Sequence, residues 1–388
     1  MRIVADADIL SVRESFSSLG ELELVEGRQI NSGHLRDADA LLVRSITRVD
    51  KSLLADSAVR FIGTATSGID HVDSDYLNNR NIQFAHARGC NANAVTEYCF
   101  AALDFLSLRR GWDCQDKLFS LIGAGHVGGL LARKLRALGI QCVAYDPLIA
   151  ASRQAELETT GVEFVSYREA LQADVISFHV PLSKSGPYPT YHLLSLDEIN
   201  NLPRDCVLLN TSRGSVIANR DLRQALGKRH DLQVVLDVWE QEPNLDPALL
   251  DQVCLATPHI AGYSIEAKLN ATSSLLTQFC QFFQVEPPAQ TGDHEGGLQH
   301  LDIAEHQLDS SDSNCSGLIL KALPLDQIDN DLRASFAEDA GQGAATFDKL
   351  RRQLAGRHEF SACQVASSNL TVEQQRMLQV LGFTVSPH

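Results

Sequence analysis

Leu121-Ile122-Gly123-Ala124-Gly125-His126-Val127-Gly128 is the stretch on which the reading of this chain turns. A G-x-G-x-x-G is a weak signal alone, but here it sits in the required setting. An apolar run, Leu118 to Ile122, leads into it and reads as a buried strand. An amphipathic helix follows, with Val127, Leu131, Leu135 and Leu138 on one face and Gly139 as its stop. The next apolar run ends at Tyr145 and delivers Asp146, eighteen residues after Gly128. Each residue type has a physical task. Gly123 makes the tight turn, Gly125 lets the backbone approach a pyrophosphate, and Gly128 lets helix and sheet pack closely. The amides from Ala124 through His126 and Val127 then face the phosphates at the positive end of a helix. Asp146 is suited to accept hydrogen bonds from ribose hydroxyls, and its charge repels a 2′-phosphate. The expected cofactor is NAD rather than NADP.

Outward from that motif the βα rhythm continues. Apolar runs at Gln141–Tyr145, Val175–His179, Val207–Asn210, Val234–Asp237 and Val253–Ala256 complete six strands, as in a doubly wound dinucleotide fold. On the N-terminal side, Ile3–Ala5, Leu22–Val25, Ala40–Val43, Phe61–Ala65 and Gln83–Ala85 predict a smaller parallel sheet. A helix over Ala94–Arg110, with Asn93 as its cap and Gly111 as its stop, joins the two. A further amphipathic helix, Ile265–Phe283, runs to Glu286-Pro287-Pro288, where prolines mark a boundary. Gln290 to Ser316 reads as linker. Beyond it, Leu318–Leu320, helices near Asp329–Ala337 and Phe347–Leu354, and a strand at Cys363–Ala366 predict a separate α+β unit. The fold class expected is therefore α/β: a Rossmann NAD domain, a flavodoxin-like second domain, and a small α+β C-terminal domain.

Composition narrows the function. At 388 residues the chain needs more than one core. The net charge of −16 opposes a nucleic-acid surface. No apolar run is long enough to span a bilayer, and Met1 to Asp6 reads as a strand rather than a signal peptide. A cytoplasmic enzyme is expected. The nine cysteines form no C-x-x-C pair, which indicates neither a zinc knuckle nor a disulfide framework; no metal is expected. In so acidic a chain, an anionic substrate must be met by a few well-placed cations.

Three later motifs fall just past the C-terminal ends of predicted strands, where open α/β sheets bind ligands. They are Asn210-Thr211-Ser212-Arg213-Gly214, Asp237-Val238-Trp239-Glu240-Gln241-Glu242-Pro243, and Thr257-Pro258-His259-Ile260-Ala261-Gly262-Tyr263. With the glycine motif, and in this order, they resemble the D-isomer-specific 2-hydroxyacid dehydrogenase family over about residues 1 to 285. The chemistry asks for these residue types. Oxidising an alcohol needs a base for the hydroxyl proton, and an imidazole titrates near working pH. An arginine fork suits a carboxylate and a developing carbonyl. The resemblance makes His259 the acid/base, Glu242 its carboxylate partner, and Arg213 the substrate clamp. It also places Val180, Thr211, Ser212, Arg213, Asp237 and Gly262 along NAD, and leaves His179 out of the chemistry.

Within that family, Val43–Thr47, Gly63–His71, Gly89–Glu97 and Pro258–Ser264 look closest to the members that oxidise a phosphorylated four-carbon sugar acid in vitamin B6 synthesis. That resemblance implies substrate contacts from Ser45, Thr66 and Tyr263, and a homodimer formed by an appended C-terminal domain. It also implies the division 1–93 with 264–286 for substrate, 94–263 for NAD, and 287–388 for linker and dimerisation. Phe347-Asp348-Lys349-Leu350-Arg351-Arg352 is a basic cluster in an acidic segment; it either reaches a substrate phosphate or forms a solvated helix face. Two other readings stay open: a dehydrogenase of 3-phosphoglycerate or of another D-2-hydroxy acid, and an NAD-sensing binding protein.

Overall fold

In the computed structural model, the structure describes residues 1–111, 114–149, 151–288, 317–338, 343–366 and 370–386. The linker expected at Gln290 to Ser316 lies outside them. Two compact units emerge, one from 1–91 with 264–296 and one from 92–263 with 297–388.

The first unit is built on five parallel strands: β1 (Arg2–Asp6), β2 (Glu21–Val25), β3 (Ala40–Val43), β4 (Phe61–Thr64) and β5 (Gln83–His86). Their order is β2-β1-β3-β4-β5, the flavodoxin-like arrangement. The strands read as continuous apolar runs because both faces of the sheet are covered. Val4, Leu41, Val43 and Ile62 pack with Leu35, Leu54 and Leu77 on one side. Ile3, Ala5, Leu42 and Phe61 pack with Phe16, Leu275 and Phe279 on the other. The last two residues come from the Ile265–Phe283 helix, so the chain re-enters this unit to seal its second face. Phe279 lies edge-on to Phe16 and Phe61, with ring centres 5.3 and 5.4 Å away.

The second unit carries seven parallel strands: β6 (Phe119–Ile122), β7 (Cys142–Tyr145), β8 (Glu163–Phe164), β9 (Val175–Phe178), β10 (Val207–Asn210), β11 (Gln233–Leu236) and β12 (Leu255–Ala256). The order β12-β11-β10-β9-β6-β7-β8 reverses direction between β6 and β9, the switch point of a dinucleotide fold. The helix expected to open after Asn93 begins at Ala92. Asn93 is thus inside it, and its amide nitrogen donates to Glu97 and Glu359 at 3.0 and 2.7 Å.

The C-terminal segment, expected to pack as a unit of its own, instead shares the cores of this second unit. Leu318, Ile319, Leu325, Phe360, Leu378 and Phe383 join the core around Leu121, Leu131 and Leu135. Leu332, Phe336, Phe347 and Leu350 join the other side, against Leu236, Trp239 and Leu249. Its own sheet is one parallel pair, β13 (Gln364–Ala366) with β14 (Thr384–Ser386). A sheet that small cannot bury these apolar residues, so they are buried where apolar surface is on offer. The Leu325–Glu338 helix also covers the edge strand β12. Asp329 accepts from the Ala256 amide at 2.8 Å, and Arg333 pairs with Asp329 while donating to the carbonyls of Leu250 and Val253. Among the described residues no helix is long and apolar enough to cross a membrane.

Candidate active site

The glycine turn joins β6 to the His126–Ala137 helix at the switch point of the second sheet. Gly123 has φ +95, a left-handed conformation that favours glycine, and a side chain there would meet the His179 carbonyl at 2.6 Å. At Gly128 a methyl group would lie 1.9 Å from the Gly123 carbonyl, so helix and strand touch there. Gly125 is different: nothing lies within 4 Å of where its side chain would be. That open space over backbone amides at a helix N-terminus fits a pyrophosphate. His126 is exposed and Val127 half-buried at the same end. Asp146 follows β7 and accepts from the Ala124 amide at 2.9 Å and the Leu148 amide at 3.1 Å, which ties its carboxylate to the glycine turn.

Across the switch point, His179 follows β9. Its ring meets the hydroxyls of Ser177 at 2.8 Å and Thr211 at 3.4 Å. Burial pushes this imidazole down to about 3, so it stays neutral at working pH. Val180 beside it is half-buried, its Cγ1 close to Gly123.

Arg213 stands on the turn after β10. Asn210 shapes that turn: its carbonyl oxygen accepts from the Ser212 amide and hydroxyl at 3.1 and 2.8 Å, and its amide donates to the Arg213 carbonyl at 3.0 Å. The Arg213 guanidinium donates from Nη1 to the Ser212 carbonyl at 2.8 Å. A side chain at Gly214 would lie 2.0 Å from the Trp239 carbonyl oxygen, so this turn is pressed against the loop that carries Glu242.

That loop and the His259 turn form one hydrogen-bonded assembly. His259 Nδ1 donates to Glu242 Oε2 at 2.7 Å, while Glu242 Oε1 accepts from the Trp239 amide at 2.7 Å. With both oxygens engaged the carboxylate cannot swivel. The bond at Nδ1 leaves Nε2 as the basic nitrogen. Burial pushes the Glu242 carboxyl up, but the charge of His259, its hydrogen bond, the Trp239 amide and the charge of Arg351 together hold it below its ordinary value. His259 itself has φ +55, an uncommon backbone for a residue with a side chain. Asp237 imposes it. The His259 amide donates to the Asp237 carbonyl at 2.7 Å, and the Asp237 carboxylate accepts from the amides of Ile260 and Ala261 at 2.7 and 2.9 Å. It also accepts from the Thr257 hydroxyl at 2.7 Å, which in turn meets the Tyr98 hydroxyl at 2.6 Å. Asp237, expected along the cofactor, is thus turned inward and 1% exposed, and its visible work is to hold the histidine turn. Gly262 and Tyr263 end the turn half-buried. The Tyr263 hydroxyl accepts from Arg351 Nη2 at 2.6 Å, and its carbonyl accepts from Arg357 Nε at 2.9 Å.

Ser45 and Thr66 belong to the first unit. Ser45 is exposed on the turn after β3, braced by Arg44, whose guanidinium donates to Asp6 at 2.8 Å and Asp8 at 2.6 Å. Thr66, expected as a substrate contact, gives its hydroxyl proton to the Gly68 carbonyl at 2.7 Å. Thr64 relays the arrangement from His71 Nε2, at 2.8 Å to Thr66 and 2.9 Å to His71. Sequence reasoning missed Asn210, Trp239, Thr257, Tyr98 and His71. Asn210, Trp239, Thr257 and His71 lie inside quoted stretches, where a polar or aromatic side chain near a strand end was the available signal; Tyr98 lies outside them.

Comparison with known proteins follows the same lines. Residues 100–261 match the family model described as D-isomer specific 2-hydroxyacid dehydrogenase, NAD binding domain. The chain is 39% identical over its full length to erythronate-4-phosphate dehydrogenase of Proteus mirabilis, covering 100% of both. It is 41% identical to that of Azotobacter vinelandii, over 98% of this chain and 99% of the relative. Among solved structures, NAD-bound 3-phosphoglycerate dehydrogenase of Entamoeba histolytica aligns with TM-score 0.61 at 25% identity, over 73% of this chain and 95% of the other.

Proposed function

The chain belongs to the erythronate-4-phosphate dehydrogenases, a branch of the D-isomer specific 2-hydroxyacid dehydrogenases, and from that we propose the reaction and the residues that perform it. The enzyme oxidises 4-phospho-D-erythronate to (R)-3-hydroxy-2-oxo-4-phosphobutanoate, an oxidation that serves pyridoxal phosphate synthesis. The observation that carries the mechanism is the His259–Glu242 bond at 2.7 Å, with the second carboxylate oxygen fixed by the Trp239 amide.

NAD, when bound, supplies the acceptor for the hydride that leaves C2. His259 Nε2 takes the proton of the C2 hydroxyl. Glu242 keeps the proton on Nδ1 before that transfer and stabilises the imidazolium after it. Arg213 meets the substrate carboxylate and the oxygen that becomes a carbonyl, with a fork that lysine lacks. Gly123, Gly125, His126, Val127 and Gly128 hold the pyrophosphate, Asp146 the adenosine ribose, and Val180, Thr211, Ser212 and Gly262 line the cofactor. Ser45, Thr66 and Tyr263 contact substrate. Asp237 serves chiefly by fixing the His259 turn. A cytoplasmic homodimer joined through the C-terminal segment belongs to the same proposal, and its support is the resemblance read from the sequence.

The assay follows reduced nicotinamide with 4-phospho-D-erythronate and, separately, 3-phosphoglycerate, with the oxo acid trapped to draw the reaction forward. The first should turn over with much the higher kcat/KM. His259→Asn should lower kcat by roughly 10²- to 10⁴-fold, the usual worth of a general base. Preference for 3-phosphoglycerate would overturn the substrate assignment, and silence with both acids would leave a binding protein.

A further inference from the structure

Arg351 differs from the neighbouring arginines in how its charge is met. Arg357 is closed by the Glu97 carboxylate at 3.0 Å and by the carbonyls of Tyr263 and Ala94. Arg333 is closed by Asp329 and by the Val253 carbonyl, each at 3.0 Å. Both are structural cations with acceptors around the fork. The Arg351 guanidinium carbon instead lies 5.2 Å from the Tyr263 ring centre and 5.8 Å from that of Phe347. Nη2 donates to the Tyr263 hydroxyl at 2.6 Å. Nε is buried without an acceptor among the described residues. The carboxylate of Asp348 stands 3.9 Å from Nη1, at the limit of an ion pair.

Holding a half-buried cation so sparsely is costly, and the cost is offset when an anion joins it. The location is telling. Tyr263 follows His259 on the same turn, and the Arg351 charge is felt at Glu242. The other two cations of the basic cluster, Lys349 and Arg352, are exposed. In a chain of net charge −16, a half-buried guanidinium whose charge reaches the carboxylate partner of the acid/base stands out. An arginine fork also matches phosphate geometry, with the donors offered side by side.

We propose that Arg351, together with the Tyr263 hydroxyl, binds the phosphate of the substrate and so sets the preference for a phosphorylated hydroxy acid; this rests on the reaction assigned above. The Arg351 donation to the tyrosine oxygen at 2.6 Å sets the hydroxyl beside the guanidinium fork, where both can meet one phosphate. The C-terminal segment then supplies a substrate contact to the site of its own chain.

The test compares kcat and KM of wild type, Arg351→Met, Arg351→Lys and Arg352→Ala on 4-phospho-D-erythronate and on unphosphorylated D-erythronate at high concentration. Near-UV circular dichroism checks that each variant keeps its fold. Arg351→Met should raise KM for the phosphorylated acid by roughly 10- to 100-fold more than for D-erythronate, the worth of hydrogen bonds to a charged group. Arg351→Lys should recover part of that discrimination, and Arg352→Ala should match wild type on both acids. An equal loss on both acids would overturn the assignment and leave Arg351 as a support for Tyr263. Should Arg351→Met fail to fold, a wild-type KM in Arg351→Lys would overturn it as well. Wild type inactive on 4-phospho-D-erythronate would instead remove the reaction on which the assignment stands.

Discussion

At the scale of single residues, His259 and His179 divide by their surroundings. His259 is half-exposed and tied to a carboxylate, whereas His179 meets two hydroxyls and, among the described residues, no carboxylate. Its folded-state value near 3, against about 6.5 in an unfolded chain, has a consequence for acid stability. Between those values the unfolded chain binds a proton that the folded chain does not, so stability falls as the pH falls through that window. Urea midpoints at pH 7 and pH 5 should differ less in His179→Gln than in wild type. An unchanged difference would show that His179 takes no part in the acid response. The motif residues themselves were legible, because Arg213, Glu242 and His259 stand in ordered strings after strands. Their supports were not. Tyr98 reaches Thr257 across 159 positions, and no local spacing announces a partner that remote.

At the scale of elements, the Ile265–Phe283 helix shows what burial does to a sheet. It places Phe279 between Phe16 and Phe61, all three sealed from solvent. Phe279→Ala removes a ring from a closed core and should destabilise the protein by about 3–5 kcal/mol, measured by urea unfolding. A loss below about 1 kcal/mol, the scale of a surface change, would mean that the cluster relaxes around the gap. The strands were readable because sheets covered on both faces write continuous apolar runs. β8 has two residues and β14 three, too few for any run to register. β12 is shorter than its apolar stretch suggested, since Val253 and Cys254 lie before it. The Leu325–Glu338 helix begins before Asp329, where Pro324 gives a start that the apolar spacing did not weigh.

At the scale of the whole molecule, the C-terminal segment is part of the second unit's interior. An apolar helix face reads the same in sequence whether it meets its own small core or a larger neighbouring one, which is why a separate domain was expected there. A chain lacking residues 317–388 would bare the surfaces that Leu318, Leu332, Phe347 and Phe360 now cover. It should bind a hydrophobic dye and aggregate at concentrations where the full chain stays dispersed in light scattering. A truncated chain that remains dispersed and binds NAD would contradict the shared core. The cover over β12 also has a bearing on how the protein is made. The ribosome emits Ala256 well before Asp329, so a nascent dinucleotide sheet waits with a raw flank until its late-born helix arrives. During that interval the bare backbone groups of the last strand are a template for pairing with another newborn copy.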